Sequence, residues 1–128
     1  MIDKVLKKFN YPNSLVREYD NWYWLIRKKQ LTLGSSIVIS KSNVENYSEL
    51  NLDSFIELKE VINEIESKLK TFVNYNKINY LMLMMEDPIV HYHVIPRYNV
   101  VKEFNCQLFS DLGFPGLPDF NNYIEITQ

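Results

Sequence analysis

The sequence has one cysteine, Cys106, so no disulfide can form within the chain. A lone thiol fits a reducing compartment, and a cytoplasmic location is the expectation. No stretch approaches 18 consecutive apolar residues, so no membrane span is expected, and residues 1–10 lack the continuous apolar core of a signal peptide. Charge of one sign is also missing. Fourteen Lys and Arg stand against 16 Asp and Glu, the net charge is -2, and no basic stripe appears. That argues against an extended nucleic-acid partner but not against a small nucleotide. Glycine is scarce, with three residues, and no Gly/Ser/Pro linker, repeat or low-complexity segment divides the chain. One domain over residues 1–128 is expected, long enough to bury a core without disulfide or metal staples.

Apolar spacing supplies the elements. Ile2, Val5, Leu6 and Phe9 recur at helical intervals and predict a short N-terminal helix. Leu15 to Tyr19 and Trp22 to Arg27 read as strands around a turn at Asp20-Asn21, and Gly34 leads into a strand at Ile37 to Ser40. Phe55, Leu58, Ile62, Ile65, Leu69 and Phe72 recur at steps of three and four, which predicts a long helix with Asn51 as its N-cap. Ile78 to Met85 and Ile89 to Ile95 read as strands joined by a tight turn at Glu86-Asp87-Pro88, hence an antiparallel hairpin. Phe104 to Phe109 reads as one short strand, and the Gly113 to Pro118 stretch as irregular chain packed on a surface. Among the consecutive rings Trp22, Tyr23 and Trp24, at least one is expected to face a ligand or partner. A sheet with one long helix and no βαβ alternation is an α+β fold, with a mainly antiparallel sheet of about five strands.

Only two histidines occur, His91 and His93, and they sit two apart in an apolar run. Strand alternation sends both imidazoles to one face with Ile89, Ile95 and Arg97, and sends Val90, Tyr92 and Val94 to the other. Imidazole is the one side chain that titrates near neutrality without help. Two imidazoles beside a guanidinium suit a phosphate, since a neutral ring can attack phosphorus and a cation can hold the oxygens. Two other readings stay open. The pair could decorate a solvated strand face. It could also ligate zinc, in which case Asp87 or Glu86 would have to complete the set, because no third histidine exists. Arg27 shares the strand face of Tyr23 and Leu25 and could line the same cleft. Ser35 and Ser36 follow Gly34 and could offer hydroxyls to a phosphate, although serines in a glycine turn commonly serve the turn itself.

The stretch His91-Tyr92-His93-Val94-Ile95-Pro96-Arg97 resembles the signature of the histidine-triad family of nucleotide hydrolases and transferases. The likeness extends to Leu25-Ile26-Arg27, to the run from Leu31 through Gly34 to Ile39, and to Ser48-Glu49-Leu50-Asn51 before the long helix. It covers a core of about residues 14–100, with residues 101–128 as a C-terminal extension. The Met85-Glu86-Asp87-Pro88 turn and the 109–119 tail look like a bacterial branch labelled diadenosine tetraphosphate hydrolase-like. The resemblance implies hydrolysis or transfer at the α-phosphate of a dinucleoside polyphosphate or nucleoside phosphoramidate, through a nucleotidyl-histidine. It implies a homodimer, a nucleotide with a purine base as partner, and neither cofactor nor metal. His91 takes the place of the nucleophile and His93 that of the third histidine. The first histidine falls on Ile89, so this chain carries a dyad. Arg97, Arg27, Ser35 and Ile89 are the expected substrate-lining residues. A nucleotide-binding module with weak or lost turnover is the alternative.

Overall fold

In the computed structural model, which describes residues 1–127, the chain runs α1 (Ile2–Lys8), β1 (Leu15–Glu18), β2 (Trp22–Ile26), β3 (Lys29–Gln30), β4 (Ser36–Ser40), α2 (Leu52–Val73), β5 (Lys77–Leu81), β6 (His91–Arg97), β7 (Lys102–Phe104), β8 (Gln107–Phe109) and β9 (Ile124–Glu125). Five strands form one antiparallel sheet in the order β1-β2-β4-β6-β5. The expected α+β architecture, with one long and one short helix, is what forms.

Helix α2 starts where its cap dictates. The Asn51 side chain accepts a 2.8 Å hydrogen bond from the Ser54 N–H, satisfying one of the free donors of the first turn. It ends at Asn74, whose φ of 52° is the left-handed conformation that closes many helices. Its buried stripe is Val61, Ile65, Leu69 and Val73. The outer members of the predicted stripe, Phe55 and Phe72, are exposed and meet single rings instead, Tyr47 at 5.5 Å and Phe104 at 5.3 Å.

The two faces of the sheet are covered differently. Trp22, Trp24, Val38, Val90 and Val94 pack beneath α2. Leu25, Ile37, Ile39 and Ile89 pack against Val5 and Leu6 of α1. The register is pinned by a glycine. Gly34 has φ +91°, and a Cβ there would sit 3.0 Å from Val73 and 3.2 Å from Pro96, so only glycine lets the turn before β4 slide under the end of α2.

Two expectations need correction. The hairpin of β5 and β6 exists, but β5 stops at Leu81 and the connection runs over residues 82–90 instead of a tight turn. Met84 adopts φ 53°, and Val90 exchanges backbone hydrogen bonds with Ser40 and Val44, which draws residues 89–90 away from β5. Met82 and Met84 pack partly on the α2 core, which is why the apolar run reads as strand. Residues 104–109 are not one strand. They are a β7–β8 hairpin whose tip, Asn105-Cys106, has φ of 52° and 61° at both positions, the signature of a two-residue turn of the primed kind. The pairing of β3 with β9 was not foreseen, since two-residue strands carry no periodicity. Of the three consecutive rings, Tyr23 is on the sheet face of Ile39 and His91, the expected ligand side, although it does not line the cleft there. Trp22 and Trp24 are buried under α2, with indole N–H groups donating to the Ser54 carbonyl and the Ser36 hydroxyl, and Tyr23 packs edge-on to Tyr11.

Candidate active site

Antiparallel pairing places His91 opposite Ile39 and His93 opposite Ile37. Directly paired residues share a face, so both imidazoles emerge on the α1 face of the sheet. There α1 covers only Ile37, Ile39 and Ile89 and their neighbours, leaving a cleft of about 440 Å³ beyond its end. His91, His93 and Arg27 form its floor, Lys8 and Asp87 stand on its rim, and Phe120 reaches in from the C-terminal extension.

The two rings lie 5.0 Å apart and nearly perpendicular, and both residues are buried. Their nitrogens are sorted by their neighbours. His91 Nδ1 is 2.7 Å from the Ile89 carbonyl oxygen, which can only accept. Nδ1 therefore carries the proton, and in the neutral ring Nε2 keeps a free lone pair. His93 Nδ1 is 3.1 Å from Arg27 Nη1, which can only donate. The neutral His93 ring thus carries its proton on Nε2, the opposite tautomer. Burial, followed by the charges of Arg27 and His91, pulls the His93 pKa down to about 3, so this ring is neutral throughout the physiological range.

Arg27 follows the end of β2 and lies half-buried against the Phe120 ring, 5.6 Å from its centroid. Its Nε is buried with no hydrogen-bond partner, and no carboxylate among the described residues reaches salt-bridge distance. Burial pushes its guanidinium below the ordinary value, partly offset by the Asp87 charge. A buried cation without a counter-ion is costly, and an anion entering the cleft would relieve that cost.

The remaining sequence-predicted residues lie elsewhere. Arg97 is 4% exposed, and its guanidinium is held by both oxygens of Asp111 at 2.7 and 3.1 Å and by Asn79 at 2.8 Å. It staples the C-terminal extension to β6 and does not line the cleft. Ser35 is fully buried. Its hydroxyl donates to the Thr32 carbonyl and accepts from the Thr32 N–H, so it serves the turn. Ile89 is fully buried beneath α1 with Val5 and Leu6 and does not reach the cleft. Among the described residues no group of three or more His, Cys, Asp or Glu gathers as a metal would require.

Sequence reasoning overlooked Lys8, Lys28, Lys29 and Phe120. Arg27-Lys28-Lys29 is a visible basic triplet at the end of a predicted strand, so two of the four had a signal. Lys8 and Phe120 had none, being brought to the cleft by packing alone.

No family model matches the sequence, and no curated protein does. Solved structures do match. A HIT family protein from Bacillus anthracis superposes with a TM-score of 0.61 at 24% identity, over 67% of this chain and 64% of that one. A hypothetical histidine triad nucleotide-binding protein from Sulfolobus tokodaii gives 0.61 at 23%, over 76% and 72%. The fold is the HIT fold. The diadenosine triphosphate hydrolase of Plasmodium falciparum, solved with cyclomarin A, shares it too, with a TM-score of 0.62 at 15% identity over 73% and 79%. This chain spans a little under two thirds of the Bacillus anthracis protein's length. At these identities the likeness is one of fold, and the chemistry rests on the residues just described. No helix among the described residues is long and apolar enough to cross a membrane.

Proposed function

We propose that the cleft binds a nucleotide by its α-phosphate and cleaves it through a covalent nucleotidyl-histidine on His91. The observation that carries this reading is the hydrogen bond from His91 Nδ1–H to the Ile89 carbonyl, which in the neutral ring puts the lone pair on Nε2, with His91 lining the cleft. Nε2 forms the bond to phosphorus as the bond to the leaving group breaks. The substituted ring then bears positive charge, and the Ile89 carbonyl sits against its Nδ1–H to stabilise it. Water next attacks phosphorus and gives up a proton to solvent, the P–N bond breaks with its electron pair returning to Nε2, and the monophosphate departs. His93 Nε2–H and the Arg27 guanidinium supply fixed donors for the phosphoryl oxygens as charge builds on them.

The substrate class is a dinucleoside polyphosphate or nucleoside phosphoramidate with a purine base. The functional unit is a homodimer. Edge strand β5, which pairs only with β6 among the described residues, supports sheet continuation across a two-fold axis. The setting is the cytoplasm.

Incubation with labelled diadenosine tetraphosphate or adenosine phosphoramidate, then denaturation without acid, is expected to trap an acid-labile adduct on His91. Nucleotide binding by calorimetry with no adduct and no turnover would favour the module reading, which the apolar packing of Ile89 in place of a third polar group makes specific. Unchanged cleavage by His91→Ala would overturn the proposal.

A further inference from the structure

The N-terminal helix α1 does more than cover apolar surface. Its last residue, Lys8, places Nζ 2.9 and 3.0 Å from the two oxygens of Asp87 and 3.4 Å from Glu86. The Asp87 side chain is 12% exposed, whereas Glu86 is 87% exposed, so the bond that is sheltered is the one to Asp87. Asp87 lines the same cleft as Arg27, His91 and His93, and its charge is felt by both Arg27 and His93. Burial pulls the Lys8 ammonium down, but the two carboxylates outweigh it and hold the pKa above its ordinary value.

A carboxylate at the mouth of an anion site is a liability. It repels an incoming phosphate, and its charge already acts on Arg27, whose buried Nε has no hydrogen-bond partner. We propose that Lys8 is a positioning residue that acts through Asp87: by holding that carboxylate on the rim, it keeps the Arg27 guanidinium open for the phosphate of the ligand. This rests on the cleft being a phosphate site. Ile89 belongs to the same arrangement. With Val5 and Leu6 seated on it, isoleucine at that position is what docks α1 and so delivers Lys8 to the rim.

The test is a double substitution read by calorimetry with AMP and with inorganic phosphate. Lys8→Met keeps an unbranched apolar stem of similar length and removes the charge, and with it the ammonium that lies 5.5 Å over the Phe9 ring. It is expected to weaken both ligands about tenfold, a change of about 1.4 kcal/mol. Lys8→Arg is expected to bind as the parent does. The deciding variant is Lys8→Met combined with Asp87→Asn, where affinity is expected to return to within about twofold of the parent. If the double variant stays as weak as Lys8→Met, Lys8 touches the ligand directly and the inference fails while the phosphate site stands. If Lys8→Met binds as tightly as the parent, the inference fails in the same way. If the parent binds neither ligand, the site and the inference fall together.

Discussion

The two faces of strand β6 form a controlled comparison within one strand. On one face, Val94, with Val90 just ahead of the strand, disappears under a 22-residue helix among apolar side chains, tryptophan and the buried Ser36. On the other, His91 and His93 emerge beside a seven-residue helix that stops short of them. The backbone register that buries one set necessarily presents the other, because side chains alternate. What differs is the length of the covering helix. The long helix makes a closed core. The short one leaves the floor of its face open, and the open part is where both imidazoles and Arg27 meet.

The largest expected effect separates the faces by readout. His91→Ala should lower turnover by at least about 10³-fold while leaving the unfolding midpoint within a few degrees. Ile65→Ala, under the long helix, should do the reverse. It should cost about 3 kcal/mol of stability through lost burial and a cavity, with near-parental activity in the fraction that stays folded. Denaturant titration beside initial rates checks both. Similar loss of stability in the two variants would break the comparison. Arg27→Met comes next, with about 10²-fold lower turnover and weakened phosphate affinity, since it removes the guanidinium from the floor of the cleft.

Much of this comparison could be read in the residues. The helix stripe, the β1–β2 turn, the strand of the histidines and their shared face all follow from local periodicity, which needs only a window of neighbours. The tautomers could not be read, because they depend on the Ile89 carbonyl and on Arg27, set by tertiary placement. Arg97 misled for the opposite reason. Its position in the strand was plain, yet its partner Asp111 lies in a stretch without periodicity, and only folding shows that the guanidinium is already taken. Ile89 reads as a missing histidine in the sequence, and as a core residue once α1 is seen to sit on it.

Ile89→His sharpens that last point. Restoring a third histidine should cost about 2 kcal/mol or more, because a polar ring would replace a fully buried side chain packed on Val5 and Leu6. Turnover should not rise, since the position does not open into the cleft. A variant both stable and faster would show that α1 yields readily and that the two faces differ less than their packing implies.

The smallest effect is a slope. His93 is held neutral in the fold, with its pKa pulled to about 3, while in the unfolded chain it titrates near 6.5. Between those values the unfolded state binds the extra proton, so stability must fall as pH drops through that window and level off below it. Carboxylates on both faces add slopes of their own at acid pH, so the informative quantity is a difference. Parent and His93→Gln are unfolded in urea at pH 7, 6, 5 and 4. The stability gap between them should shrink steadily from pH 6.5 downward, because only the parent retains a ring that acid drives out of its buried site. The same pair in an Ile65→Ala background should show a gap that shrinks with pH in the same way, since no histidine lies under α2. A gap that stays constant with pH would mean that His93 meets water freely, and that the open face is wetter than its burial implies.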